Sequence, residues 1–190
     1  MSESEIILGQ AAFERRFGDL YHSLFQGSEP FKQSFRNASW QFVLTTNGFE
    51  WDHRGEFTTI CNAVRSVGDS KMVWTNLEFE SPRSVSCMLP LNYDAYVQAF
   101  KNAKLRWLYA GRKAIFGLSG SWGAIVDEAG MFISGGFAMI GGTAQFIGEL
   151  ASAWGGIDRM RGDFIAYLND PAMSVPAHLR ERLLEEVGWR

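Results

Sequence analysis

The spacing of apolar positions switches along this chain between a period near 3.6 and a period of 2. That predicts helices interleaved with strands. Phe13, Phe17, Leu20, Tyr21, Leu24 and Phe25 fall on one helical face over residues 10–26, with Glu14, Arg15, Arg16 and Asp19 on the other. Gly27-Ser28-Glu29-Pro30 stops this helix, and Phe31–Asn37 reads as a short helical turn or a loop. Trp40, Phe42 and Leu44 alternate with Gln41, Val43 and Thr45 as a strand. Asn47-Gly48 is a turn signal, with Phe49 and Trp51 in a short partner strand. Phe57, Ile60, Cys61, Val64 and Val67 return to helical spacing, closed by Gly68.

The middle of the chain is strand-rich. Lys71–Phe79 and Val85–Leu89 flank a turn at Ser81-Pro82, and Asn92 can cap a helix through Ala103. Leu105–Tyr109 and Lys113–Leu118 read as strands separated by Gly111. The run from Ile115 to Val126 turns at Asp127-Glu128-Ala129-Gly130 and returns as Met131–Ser134, a predicted hairpin. Gly117, Gly120 and Gly123 suggest a bulge or kink in its first strand. Gly135-Gly136 and Gly141-Gly142 then bound a predicted glycine-rich loop. Thr143 can cap a helix carrying Phe146, Ile147, Leu150 and Trp154, closed by Gly155-Gly156. Helical spacing resumes from Ile157 to Leu168, and a last helix carries Leu179, Leu183, Leu184 and Val187, with Pro176 in its first turn.

Helices gather at both chain ends and strict βαβ alternation is missing. The expected class is therefore α+β: an antiparallel or mixed sheet of about six to eight strands flanked by helices. One domain over residues 1–190 is expected, with 172–190 a candidate helical extension.

Composition narrows function more than fold. Eighteen basic against 21 acidic residues give a net charge of −3, which argues against a general phosphate-backbone binder. Lys104, Arg106, Arg112 and Lys113 leave room for one small basic patch. No apolar run approaches the roughly 18 residues of a membrane span. The acidic start, Met1-Ser2-Glu3-Ser4-Glu5, lacks the features of a signal peptide, so a cytoplasmic protein is expected. Cys61 and Cys87 read as buried free thiols.

The chemistry-bearing patterns fall short of complete motifs. Gly136–Thr143 matches a phosphate loop except that Gly142 stands where the lysine belongs. What remains is a candidate anion or ligand site on the backbone amides of Gly141, Gly142 and Thr143 at a helix N-terminus. The alternative use of the same glycines is tight turning and close packing. Gly117-Leu118-Ser119-Gly120 misses the nucleophile elbow by one residue. Asp52-His53-Arg54 places an acid, an imidazole and a guanidinium on one turn, but neighbours on an extended segment point apart. No H-x-x-x-H or C-x-x-C spacing exists, so neither a metal site nor a cofactor is expected, and no catalytic residue is assigned. Asp127 and Glu128 read as a solvated hairpin tip. Trp51 and Trp74 are core unless one sheet face is open, in which case they anchor a partner.

The C-terminal half, a hairpin tipped by Asp127-Glu128-Ala129-Gly130 followed by Gly141-Gly142-Thr143-x-x-Phe146-Ile147-x-Glu149-Leu150, resembles the organisation of small bacterial immunity proteins of polymorphic toxin systems. The resemblance implies a cytoplasmic, non-enzymatic α+β protein that binds another protein and occludes a toxin domain. Its candidate contact residues are Trp51, Asp52, His53, Arg54, Trp74, Asp127 and Glu128. The competing expectation is a small-molecule-binding domain or enzyme with its site near the Gly135–Thr143 loop.

Overall fold

Seven strands form one antiparallel sheet in the computed structural model, which describes residues 7–46, 54–77, 85–101, 112–127, 132–133 and 135–189. They are β1 (Ile7–Gly9), β2 (Gln41–Thr46), β3 (Lys71–Asn76), β4 (Val85–Pro90), β5 (Arg112–Gly117), β6 (Trp122–Asp127) and β7 (Phe137–Gly142). Their order across the sheet is β1-β4-β3-β5-β6-β7-β2. Six α-helices accompany them among the described residues: α1 (Gln10–Leu24), α2 (Arg54–Ser66), α3 (Tyr93–Phe100), α4 (Ala144–Ala153), α5 (Ile157–Asn169) and α6 (Ala177–Glu186). The fold is α+β, with helices at both ends of the chain.

Register sorts the side chains onto two faces. Trp74 pairs with Ile115, Ile115 with Ala124, Ala124 with Ile140, and Ile140 with Val43. This face is covered by α2, α3 and α4: Trp74 meets Tyr96 with ring centroids 6.1 Å apart, Phe57 meets Tyr96 at 4.8 Å, and Trp122 stacks on Phe146 at 4.9 Å and 8°. Phe116 belongs to the opposite face, where Phe13, Tyr21 and Phe25 surround it at 6.5, 6.1 and 5.9 Å. On the same side Phe137 packs on Phe164 of α5 at 6.4 Å.

A sheet buried on both faces has no polar side to alternate with. β6 and β7 are accordingly buried at every position, and their sequences read as continuous apolar runs. This is why Phe137–Gly142, which reads as a glycine-rich loop, is a central strand paired with both β2 and β6. Its glycines make room for rings. A Cβ at Gly141 would stand 2.6 Å from Phe42 Cε1, and one at Gly142 would stand 2.7 Å from Phe146 Cδ1. Where the sequence predicts a kink, between Gly117 and Gly123, the chain instead makes the β5–β6 hairpin turn at Leu118–Ser121. β1 has no counterpart in the sequence reading; three residues are too few to show a period.

Several expectations match the structure closely. The first helix, the helix closed by Gly68 and the three C-terminal helices lie where the apolar spacing predicts them. Asn92 accepts from the Ala95 N–H at 3.0 Å, and Thr143 from the Phe146 N–H at 3.3 Å, as helix caps do. Phe31–Asn37 contains a 3-10 turn at Lys32–Ser34. The predicted Asn47-Gly48 turn, the Phe49–Trp51 and Leu105–Tyr109 strands, and the Glu128–Gly130 part of the predicted turn lie outside the described residues.

The C-terminal segment packs into the core. Leu179, Leu183 and Trp189 are buried, and Trp189 meets Phe164 at 6.1 Å.

Candidate functional site

The most connected polar group at one end of the sheet is Asp69, which is 6% exposed. Its position follows from how α2 ends. Gly68 adopts φ +87°, a backbone state that favours glycine, and its N–H donates to the Arg65 carbonyl at 3.0 Å. The reversal carries the Asp69 carboxylate beneath the turn between β5 and β6. There it accepts from the Ser119 N–H at 2.7 Å and the Ser119 hydroxyl at 2.7 Å. The Trp122 Nε1–H donates to the same carboxylate at 3.1 Å.

The turn is braced from other sides as well. The Ser121 N–H donates to Ser119 Oγ at 3.2 Å, and the Thr143 N–H donates to the Ser121 carbonyl at 2.9 Å. Gly120 takes φ +69° and lies against α1, where an added Cβ would be 3.4 Å from Leu20 Cδ1. Nearby, Gln145 Nε2 donates to the Ser66 carbonyl at 2.6 Å, tying the start of α4 to the end of α2. Leu118 sits at the tip of this fixed turn with 41% of its surface exposed. Ser119 Oγ both donates to Asp69 and accepts from Ser121, so its hydrogen bonds are internal and organise the turn.

A second set of polar groups lies within the sheet. Lys113 is fully buried, pairs in register with Asn76, and holds its Nζ 5.3 Å from the centroid of the Trp74 ring. The neighbouring Cys87 thiol is pushed up by burial, against an opposing pull from the Lys113 charge. Burial likewise pushes the Cys61 thiol up to about 12, with Arg65 pulling the other way. Both cysteines are buried free thiols, as the sequence suggests.

On the opposite face Asp127 is fully buried at the end of β6, in register with Arg112, and accepts from the Phe132 N–H at 3.1 Å. Tyr167 donates its hydroxyl proton to the Gly136 carbonyl at 2.5 Å. Burial, and then the Asp127 charge, push that phenol up to about 12. These contacts hold the β6–β7 connection against α5.

Among the described residues, those the sequence predicts for a site are not gathered into one place. The amides of Gly141 and Gly142 lie in a strand flanked by partners on both sides, and the Thr143 amide bonds to Ser121. The helix N-terminus behind them is capped by the Thr143 side chain itself. Of the two uses expected for these residues, the arrangement favours internal packing and capping over an open anion loop. Trp74 is fully buried on one sheet face and Asp127 on the other, so neither forms an exposed contact surface. Arg54 is exposed at the start of α2, 2.7 Å from Asp94 and 4.8 Å over the Tyr93 ring. Trp51, Asp52, His53 and Glu128 lie outside the described residues.

Sequence reasoning did not single out Asp69, because its partners are 50 and 53 positions away. The one local signal was Ser119 within a glycine-spaced run. Among the described residues no group of three or more His, Cys, Asp or Glu side chains is placed to hold a metal ion, and no helix is long and apolar enough to cross a membrane. No protein-family model matches the chain, and no match was found among curated proteins or solved structures.

Proposed function

We propose that this chain is a non-enzymatic, cytoplasmic protein-binding protein of the immunity type, which acts by covering the surface of a toxin domain. The observation that carries the reading is the β5–β6 turn. It presents Leu118 to solvent while a buried carboxylate holds its backbone and its serine. An exposed apolar side chain on a fixed turn loses little conformational freedom on association. Fully burying a leucine contributes about 1.5–3 kcal/mol, and covering the 41% of Leu118 that is exposed contributes roughly half of that.

The competing reading, a ligand site at Gly135–Thr143, is less well supported. The backbone amides it would use at Gly141, Gly142 and Thr143 are part of the sheet ladder or bonded to Ser121.

The test is co-expression of the tagged chain with the proteins encoded beside it. One of them should be retained, and Leu118→Asp should weaken that complex about tenfold or more while leaving the melting temperature unchanged, since the side chain is solvated. If no neighbour is retained, or if Leu118→Asp binds as tightly as the parent, the reading is abandoned.

A further inference from the structure

We propose that the segment from Asp170 to Trp189 is an exchangeable strap, and that two copies of this chain form a dimer by laying α6 of each on the core of the other. The strap is anchored by side chains. Leu179, Leu183 and Trp189 are buried in the core. The Arg182 guanidinium lies 3.8 Å from the centroid of the Phe31 ring. Glu186 accepts the Lys32 backbone N–H at 2.6 Å and the Arg182 Nε–H at 3.0 Å.

α6 pairs with no strand, so its own backbone hydrogen bonds survive when it leaves its seat. Every docking contact can then be remade between copies, because the second copy offers the same Phe31, Lys32 and core cavity. The exchange therefore leaves the α6 contacts unchanged, and the connection, which includes the buried Val175, is set against the entropy of bringing two copies together, a cost that high concentration reduces.

That connection is where the strain sits. After α5 the chain makes a 3-10 turn at Pro171–Met173, whose N-cap Asp170 accepts the Ala172 N–H at 2.9 Å. Ser174 then adopts φ 51° and ψ 38°, the one non-glycine residue at positive φ among the described residues. A serine held there is strained, and opening the connection releases that strain. Pro171 and Pro176 favour extended backbone at the residues before them, so Asp170 and Val175 are already suited to an open hinge. Seven residues from Asp170 to Pro176 span up to about 23 Å when extended, enough to carry α6 to a neighbour. Short connections under strain are the ones that favour exchange.

The experiment uses two full-length variants, Lys32→Cys and Glu186→Cys, unfolded together, refolded at high concentration and treated with a bifunctional maleimide, because the contact between these positions runs from a backbone N–H to a long side chain and calls for a spacer. A dimer should appear by size-exclusion chromatography with light scattering. A cross-link joining one variant to the other should form well above the level of either variant alone. Both substitutions in one chain, cross-linked before unfolding, should lock α6 in place and suppress the dimer. Ser174→Gly, which removes the strain, should lower the dimer fraction about fivefold or more per hinge. A chain that stays monomeric after concentrated refolding would overturn the proposal. So would a dimer that lacks the mixed cross-link and ignores Ser174→Gly.

Discussion

Gly117 leaves the space that the Asp69 carboxylate occupies. A Cβ built at Gly117 would fall inside contact distance of both Asp69 Oδ2 and Trp122 Nε1, breaking into the hydrogen bond between them. The glycine is extended strand backbone, so its role here is absence of volume. Gly117→Ala should destabilise the chain by about 1–3 kcal/mol through overpacking, read as a lower urea midpoint at an unchanged slope. A midpoint equal to the parent's would show that the carboxylate can move aside at no cost.

The acceptor side of the same contact makes a further prediction. Asp69→Ala removes the acceptor for three donors and leaves the buried Trp122 Nε1–H without a partner. A loss of about 2–4 kcal/mol is expected, since bonds to a charged group are the stronger kind and a buried donor left unmade is penalised. Trp122→Phe removes the donor with its hydrogen bond and should be milder than Asp69→Ala. The two effects should also be strongly non-additive in a double-mutant cycle. Additive losses would mean that the bond does not hold the two residues together.

How much of this was legible in the sequence follows from range. Helices are written locally: Phe13, Phe17 and Leu24 show their period, and Asn92 and Thr143 announce their caps. The α+β class and five of the seven strands, β2 to β6, follow from the same local patterns. β7 was unreadable because Ala138, Ile140 and Gly142 face one helix layer while Phe137, Met139 and Gly141 face the other, so no polar position marks a period. The Asp69 cluster was unreadable for a different reason. Its members meet only through the register of β5 and β6 and the end of α2, and no local spacing encodes that meeting. Trp74 shows the limit in reverse, because its residue type suits either a core or a contact and only the layer of α3 above it decides.

Alkaline pH should weaken the fold, and the sign follows from three acids, Tyr21 and Cys61 buried and Tyr167 partly so. Tyr21 is pushed from 10.0 to about 12 by burial and then by Glu14, Tyr167 to about 12 by burial and then by Asp127, and Cys61 from 9.0 to about 12 by burial. In each the folded value lies above the unfolded one, so the folded chain keeps protons that the unfolded chain releases. Their contribution is fully present below about pH 9 and is lost progressively as pH rises toward about 12. Urea midpoints should therefore fall steadily between about pH 9 and 11, and Tyr21→Phe should flatten that decline. A midpoint that holds constant over this window would contradict the burial of these groups.

The end of the chain offers the sharpest test of where the core stops. Leu183 is fully buried, Leu179 and Trp189 are nearly so, and all three belong to the same apolar cluster as the sheet. An appended helix would leave the remainder folded when removed; a helix that closes the core would not. Truncation after Asp170 would uncover Phe31 and Phe164 and delete the Glu186 acceptor of the Lys32 N–H. The truncated chain should lose its cooperative melting transition. Leu183→Ala in the full chain should cost about 2–5 kcal/mol, the range for a large-to-small change in a well-packed site. Cooperative melting of the truncated chain near the parent temperature would place α6 outside the folding unit, however well buried its leucines are.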